Sequence, residues 1–365
     1  MSPPTINSPY ATAHVEPKGP GDARPTAYQI LKDNNVVGKL SDKTFLITGG
    51  SDGLGLETVR TVAKTGARVF FSARNPEKAA KIAKDIEEQG KTDPDLKGAR
   101  VEFIMIDNKS LKSVKQGAED FLRRSDRLNV LITNAGIANV PHALSDDGFE
   151  IQFAVNHLAH FYLFELLKPL LIKSSVPGFH SRVIAIASTA HAFSTVQFGN
   201  IGQEQKVTSN YHPMLDLEGD YTYNPGIAYG QTKTANIWMA NEIERRYGGQ
   251  GLHGLSVHPG NIVTAGYGIM DPRIAAKFAP FFEMPEMQAY MKSVEQGAAT
   301  QVLAAVGKDY EGKGGFYMDD CRVAEPIPEG AMPGFSGYHS WAYSPEGEKK
   351  LWFESLRMVG LKDDQ

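Results

Sequence analysis

Cysteine is almost missing: Cys321 is the single one in 365 residues. An intrachain disulfide is therefore excluded, and a cysteine-based zinc site has nothing to build on. Long apolar runs are missing too. None approaches the roughly 20 residues a membrane-spanning helix needs, so no membrane span is expected. The first 25 residues hold six prolines and no apolar stretch of the kind a secretory signal carries. They read as an irregular, mobile leader. Neither sign of charge dominates: 38 Lys and Arg against 42 Asp and Glu give a net charge of -4, with no basic cluster. That balance excludes a chain that lives on nucleic acid. A reducing, cytoplasmic location is the expectation.

What the chain does contain is an ordinary globular composition, 41% hydrophobic and 22% charged, and a regular alternation of signals. Short apolar runs at 44–47, 68–72, 101–106, 128–133, 182–187, 252–257 and 315–318 predict strands. Between them, helical periods predict helices over 56–64, 76–89, 110–124, 148–172, 229–247 and 293–306. Buried strands separated by helices mean a parallel sheet covered on both faces. The fold class predicted is therefore α/β: a single doubly wound parallel sheet, with a lid and a C-terminal extension. The divisions expected are a leader over 1–40, the main body over 41–320 and the extension over 321–365. Two segments break the alternation. Residues 190–228 form a long aromatic insert, and 265–292 are rich in Met and Phe, as a lid with an apolar inner face would be.

The first strand runs into Thr48-Gly49-Gly50-Ser51-Asp52-Gly53-Leu54-Gly55 and then into a helix. Strand, glycine turn and helix are the context in which such a pattern cradles phosphates. Gly49 permits the tight turn, Gly53 lets backbone approach a pyrophosphate, and Gly55 lets helix pack on strand. The helix N-terminus adds unpaired N–H groups. Further along, Tyr229 and Lys233 stand four residues apart in a predicted helix and so share one face. A phenol is a poor acid or base at neutral pH, and a neighbouring ammonium lowers its pKa. Ser188 ends the fifth strand, where its hydroxyl can serve a carbonyl oxygen or a forming alkoxide.

The glycine turn, Asn134-Ala135-Gly136, Ser188, Tyr229-x-x-x-Lys233 and Pro259-Gly260-x-x-x-Thr264 occur in that order. This order resembles the classical short-chain dehydrogenase/reductase family, which has a Rossmann-type fold. The segment Val155-Asn156-His157-Leu158-Ala159-His160-Phe161, the pair Asp320-Cys321 and the ending Leu351-Trp352-x-x-Ser355 resemble its retinol-dehydrogenase-like and WW-domain-oxidoreductase-like branch. The resemblance implies roles. Tyr229 would be the general acid/base, Lys233 its tuner and a partner of the nicotinamide ribose, and Ser188 the holder of the carbonyl oxygen. Asn156 would fix a water leading to Lys233. Asn134, Ala135 and Gly136 would lie beside the adenosine ribose, and Asp107 and Asn108 would face the adenine. Pro259, Gly260, Ile262 and Thr264 would border the carboxamide and phosphates. Gly49, Ser51, Asp52, Gly53, Leu54 and Gly55 would hold the pyrophosphate end.

Cofactor choice turns on the end of the second strand. NAD-dependent members place an acid there, and this chain has Ala73 followed by Arg74. A guanidinium suits a 2′-phosphate, so NADP(H) is expected, with Ser51 adding a hydroxyl and Asp52 counting against it. His157 and His160 lack a third ligand at metal spacing, so no metal is expected. The function expected is hydride transfer between NADP(H) and a carbonyl or alcohol of a hydrophobic, bulky small molecule, such as a polyketide, terpenoid, steroid or retinoid of secondary metabolism. A non-catalytic NADP(H)-binding sensor or scaffold of the same fold is the alternative. The family resemblance implies a homodimer or homotetramer, while the long tail leaves a monomer open.

Overall fold

Strand β1, Thr44–Ile47, is buried along its whole length because its side chains feed two cores in alternation. Phe45 and Ile47 point into one apolar cluster and Leu46 into the other, the two-residue period of a strand covered on both faces. β2 (Arg68–Ala73), β3 (Arg100–Met105), β4 (Val130–Thr133), β5 (Ser181–Ile186), β6 (Leu252–Val257), β7 (Phe316–Asp319) and the short β8 (Arg322–Val323) complete one sheet. Its order is β3-β2-β1-β4-β5-β6-β7-β8. All pairings are parallel except β7 with β8. The order in which strands are added reverses between β1 and β4, and the crevice at such a switch point is where doubly wound sheets bind ligands. The computed structural model describes residues 6, 8–219, 221–262 and 269–364.

The helices, in chain order, are α1 (Ala27–Asp33), α2 (Gly53–Ala63), α3 (Pro76–Gln89), α4 (Leu111–Arg124), α5 (Ile151–Phe153), α6 (Ala159–Ser174), α7 (Pro225–Tyr247), α8 (Pro272–Glu283), α9 (Pro285–Tyr290), α10 (Val294–Gly297), α11 (Ala299–Val306) and α12 (Pro345–Met358). α3 begins at a proline in its first turn, under an Asn75 side chain that accepts a hydrogen bond from the Lys78 N–H, as helix-start chemistry requires. α2 and α11 cover one face of the sheet, where Val59, Val62, Ala299 and Val302 meet Phe71, Ile132 and Ile184. α4, α6, α7 and α12 cover the other, with Phe121, Phe164, Ile243 and Trp352 around Leu46 and Leu131.

Two expectations need correction, the unbroken helix over 148–172 and the mobile leader, and two segments, the lid and the extension, gain detail. The single helix over 148–172 is α5 and α6 joined by a π-helical turn, Ala154–Leu158, which carries Asn156. Such turns occur often at functional sites. The leader does not hang free: Arg24 is 2% exposed and hydrogen-bonds the backbone of the lid. The lid is helical, α8 and α9, and packs Phe278, Phe281 and Met287 into a satellite core with Phe193 and Leu215 of the insert. The extension contains a helix, α12, that closes the second core through Trp352. Residues 263–268, including the start of the lid, lie outside the described residues.

Candidate active site

At the carboxyl end of β1 the chain turns at Gly49, whose φ of 64° is left-handed. Its N–H donates to Ser72 Oγ at 3.0 Å, tying the turn to β2. A Cβ on Gly55 would stand 2.2 Å from the Gly49 carbonyl oxygen, so only glycine lets α2 come this close. Asn134 Nδ2 donates to Thr48 O and the Ala135 N–H to Thr48 Oγ1, both at 3.0 Å, which fixes the loop after β4 beside the turn. Thr48 Oγ1 also meets His160 Nε2 at 2.9 Å, and Asn108 Nδ2 donates to the same nitrogen at 3.1 Å. His160 Nδ1–H donates to the Asn156 carbonyl at 3.0 Å. Burial lowers the His160 pKa to about 4, so a neutral imidazole joins the ends of β1 and β3 to the π-turn. This backbone cradle, open at the start of α2, fits a pyrophosphate.

A cavity of about 620 Å³ begins here. At one end stand Arg74, Asp107, Asn108 and Lys109. Arg74 is exposed, and among the described residues no carboxylate pairs with it. Asp52 caps α2 by accepting from the Gly53 N–H at 2.8 Å and pairs with Lys78 Nζ at 2.7 Å. The Lys78 hydrogen bond holds the Asp52 carboxyl below its usual range. The acid that counted against a phosphate is thus matched by a cation from α3.

At mid-cavity, Tyr229 and Lys233 of α7 face the end of β5. Lys233 is buried, and its Nζ donates to the Ile186 carbonyl at 3.0 Å and lies 5.4 Å from the Tyr229 ring centre. Burial brings its pKa down to about 8. Ser188 Oγ accepts from the Ala190 N–H at 3.1 Å, which leaves its hydroxyl hydrogen to donate elsewhere. Its carbonyl is held by His191 Nδ1–H at 2.7 Å, and the other nitrogen of His191 accepts from the His339 N–H at 3.2 Å. Beyond these groups the wall turns apolar: Phe193, Leu215, Met270, Phe278, Phe281 and Phe282. A hydroxyl, a phenol and an ammonium therefore sit between a phosphate-shaped cradle and a hydrophobic chamber.

A family model described as "short chain dehydrogenase" matches residues 43–200. Short-chain dehydrogenase/reductase prx1 of Penicillium roqueforti is 45% identical over 97% of this chain and 96% of its own. The chain belongs to the short-chain dehydrogenase/reductase family. Its likeness to the retinol-dehydrogenase-like branch is seen in retinol dehydrogenase 14 of Mus musculus, 33% identical over 89% of this chain and 88% of that protein. A solved structure of an uncharacterized Mycobacterium paratuberculosis protein superposes with a TM-score of 0.63 at 25% identity, covering 90% of this chain and 97% of its own. This short-chain dehydrogenase/reductase is therefore an oxidoreductase with a Rossmann-type sheet, of a family that takes small-molecule substrates. Among the described residues, no helix is long and apolar enough to cross a membrane.

Of the residues expected at the site of this dehydrogenase/reductase, the cavity wall gathers Gly49, Ser51, Asp52, Gly53, Leu54, Gly55, Arg74, Asp107, Asn108, Asn134, Ala135, Gly136, Ser188, Tyr229, Lys233, Pro259, Gly260 and Ile262. Thr264 lies outside the described residues. Asn156 is not on the wall. Its Oδ1 accepts from the Ile137 N–H at 2.9 Å and its Nδ2 donates to Ile137 O at 2.8 Å, so the side chain braces the 134–139 loop from behind. Both Nδ2 hydrogens are used, the second on Thr232 Oγ1 at 3.1 Å, while Oδ1 and the backbone carbonyl bonded to His160 each keep one lone pair for a water. Residues not anticipated on the wall include Ser72, Lys109, Asn261 and Gly334. Ser72 and Asn261 adjoin recognised motifs, whereas Gly334 arrives from the tail and carries no local signal.

Proposed function

We propose that this protein is an NADP(H)-dependent carbonyl reductase or alcohol dehydrogenase acting on a hydrophobic, bulky small molecule. One observation carries the reading: a single cavity runs from Arg74, past Lys233, Tyr229 and Ser188, into a chamber of phenylalanines. When bound, the cofactor supplies or accepts the hydride. The protein does the rest. Ser188, with its oxygen occupied by the Ala190 N–H, directs its O–H at the substrate oxygen. Tyr229 gives that oxygen its proton on reduction or takes it on oxidation. Lys233 stays protonated up to about pH 8 and lowers the cost of the phenolate. Asn156 acts from behind the wall, holding the loop and the π-turn in register.

Preference for the phosphorylated cofactor is supported by Ala73 at the end of β2, which removes the acid, and by Arg74, whose fork has no competing carboxylate among the described residues. Lys78 offsets Asp52. The Phe-lined chamber favours an apolar substrate, since charged ones would lose their hydration there. We read the leader, the body and the extension as parts of one domain, because Arg24 and Trp352 bury themselves in it.

The test is a titration of NADPH and NADH, followed by tryptophan and nicotinamide fluorescence, on wild type and Arg74→Ala. Loss of a charge-assisted phosphate pair should weaken NADPH about 10- to 100-fold and leave NADH within about twofold. Equal affinity of wild type for both cofactors overturns the NADP(H) assignment. Failure to bind either overturns the enzyme reading and the cofactor-binding scaffold alike.

A further inference from the structure

The leader and the turn that opens the C-terminal extension meet at the root of the lid. From the N-terminal side, the Arg24 guanidinium reaches a row of backbone carbonyls at the end of α9. Nη1 donates to Tyr290 O at 2.8 Å, and Nη2 to Met291 O at 2.6 Å, Ala289 O at 3.4 Å and Gly19 O at 3.0 Å. Asp22 holds Nε at 2.8 Å, so the fork is aimed as well as buried. The Gly19 N–H donates to Ala289 O at 2.7 Å, and Gln296 just past the lid bonds Gly21, Asp22 and Arg24. A rigid planar fork on several carbonyls fixes orientation in a way a point charge does not.

From the C-terminal side, Asp320 sits at the tight turn between β7 and β8. Its Oδ1 pairs with Lys292 Nζ at 2.7 Å and lies 3.2 Å from His14 Nδ1, and its Oδ2 accepts from the Tyr290 hydroxyl at 3.1 Å. Leader, lid root and tail thus share one buried carboxylate. Burial works against its charge, and Lys292 overrides that, holding the carboxyl far below the usual range. Asp320 and Cys321 both have left-handed φ, 46° and 56°, strain that only a well-determined junction sustains. The junction touches the cavity. A Cβ on Gly260 would stand 2.6 Å from Lys292 Cδ, and Asn261 Nδ2 meets Met287 Sδ at 3.2 Å and Gly334 O at 3.0 Å. Phe335 then packs against Phe281 and Tyr290, with ring centres 5.6 and 5.5 Å away.

We propose that this junction is a positioning device for the lid: the leader, through Arg24, and the tail root, through Asp320, set how closely α8 and its phenylalanines stand over the cavity, and so which hydrophobic substrates are accepted. Arg24 touches no reacting group and acts through the backbone of residues 289–291. The kinetic half of this proposal rests on the carbonyl-reductase reading; the structural half does not.

The test uses the full-length chain with Arg24→Gln and Arg24→Lys. By hydrogen exchange, peptides over 272–292 in Arg24→Gln should open about tenfold more readily, with β1 and α7 unchanged, because the clamp stabilises the lid locally. The kcat/KM for a bulky aryl ketone should fall about tenfold, mainly through KM, while kcat for a short aliphatic aldehyde stays within about twofold. Arg24→Lys, a single donor group on the same charge, should recover part of both effects, and it carries the test alone if Arg24→Gln does not fold. Unchanged exchange over 272–292 overturns the proposal, as does a loss spread evenly over the core with KM and kcat scaling together. If no carbonyl is turned over by wild type, the functional reading fails and exchange alone decides this one.

Discussion

Lys233 is the residue whose physical cost is most visible, and replacing it with methionine separates function from stability. Its ammonium is buried with one hydrogen bond, to Ile186 O, and burial drops its pKa from the ordinary 10.5 to about 8. At about 1.4 kcal/mol per tenfold, that fall corresponds to roughly 3 kcal/mol of lost hydration. Lys233→Met keeps the chain length and removes the charge. Ile186 O keeps a donor, Asn236 Nδ2 at 3.0 Å, so no acceptor is stranded. Setting the lost charged hydrogen bond, about 1.5 kcal/mol, against the hydration regained leaves the variant about 1–2 kcal/mol more stable than wild type. With an unfolding entropy that scales with chain length, this is about 1–3 °C in Tm.

The pH dependence follows from the direction of the shift. Between about pH 8 and 10.5 the unfolded chain still holds the lysine proton and the folded one has released it. Wild-type stability from this group therefore rises across that window, and the advantage of Lys233→Met is full below pH 8 and gone near 10.5. Thermal unfolding of cofactor-free wild type and variant, followed by circular dichroism near neutral pH and at about pH 10, measures it. Turnover should meanwhile fall at least about 100-fold, the trade of stability against activity expected at a strained site. A variant less stable than wild type at neutral pH, or a gain that does not shrink as pH rises, would refute this account of Lys233.

Two further substitutions probe the cofactor end. Gly55→Ala forces a Cβ to 2.2 Å from Gly49 O, so the turn must open; NADPH fluorescence titration should show binding lost, with stability down by about 1–3 kcal/mol. Asp52→Ala removes the cap of α2 but also the carboxylate that occupies Lys78. Thermal stability should drop by about 1 kcal/mol while NADPH binds severalfold more tightly than in wild type, an opposite pair of signs read by melting and titration.

Much of this was legible in the sequence because it is local. Gly49 and Gly55 bracket one turn, and Tyr229 and Lys233 are a single helical turn apart, so spacing alone brings them to one wall. The strands were legible because each is a short apolar run between helical periods. What stayed hidden depends on contacts far apart in the chain. Nothing near Arg24 says that its partners are carbonyls at 289–291, and nothing near Gly334 says that it lines the cavity. The Lys78 partner of Asp52 lies 26 residues away, across two elements. The π-turn at Asn156 hides inside an uninterrupted apolar period, since one extra residue in a helix barely shifts that pattern. From the sequence His160 reads only as no metal ligand; that it joins the ends of β1 and β3 to the π-turn is a property of the packed sheet.

The central claim, proton transfer by Tyr229 paired with hydride transfer from NADPH to a hydrophobic carbonyl, is tested most directly by steady-state oxidation of NADPH with a panel of apolar ketones and aldehydes. Wild type is compared with Tyr229→Phe, and NADPH affinity is titrated on both. The account predicts turnover by wild type that falls about 10²- to 10⁴-fold in Tyr229→Phe, with cofactor affinity within a few-fold. Turnover kept by the phenylalanine variant would contradict it.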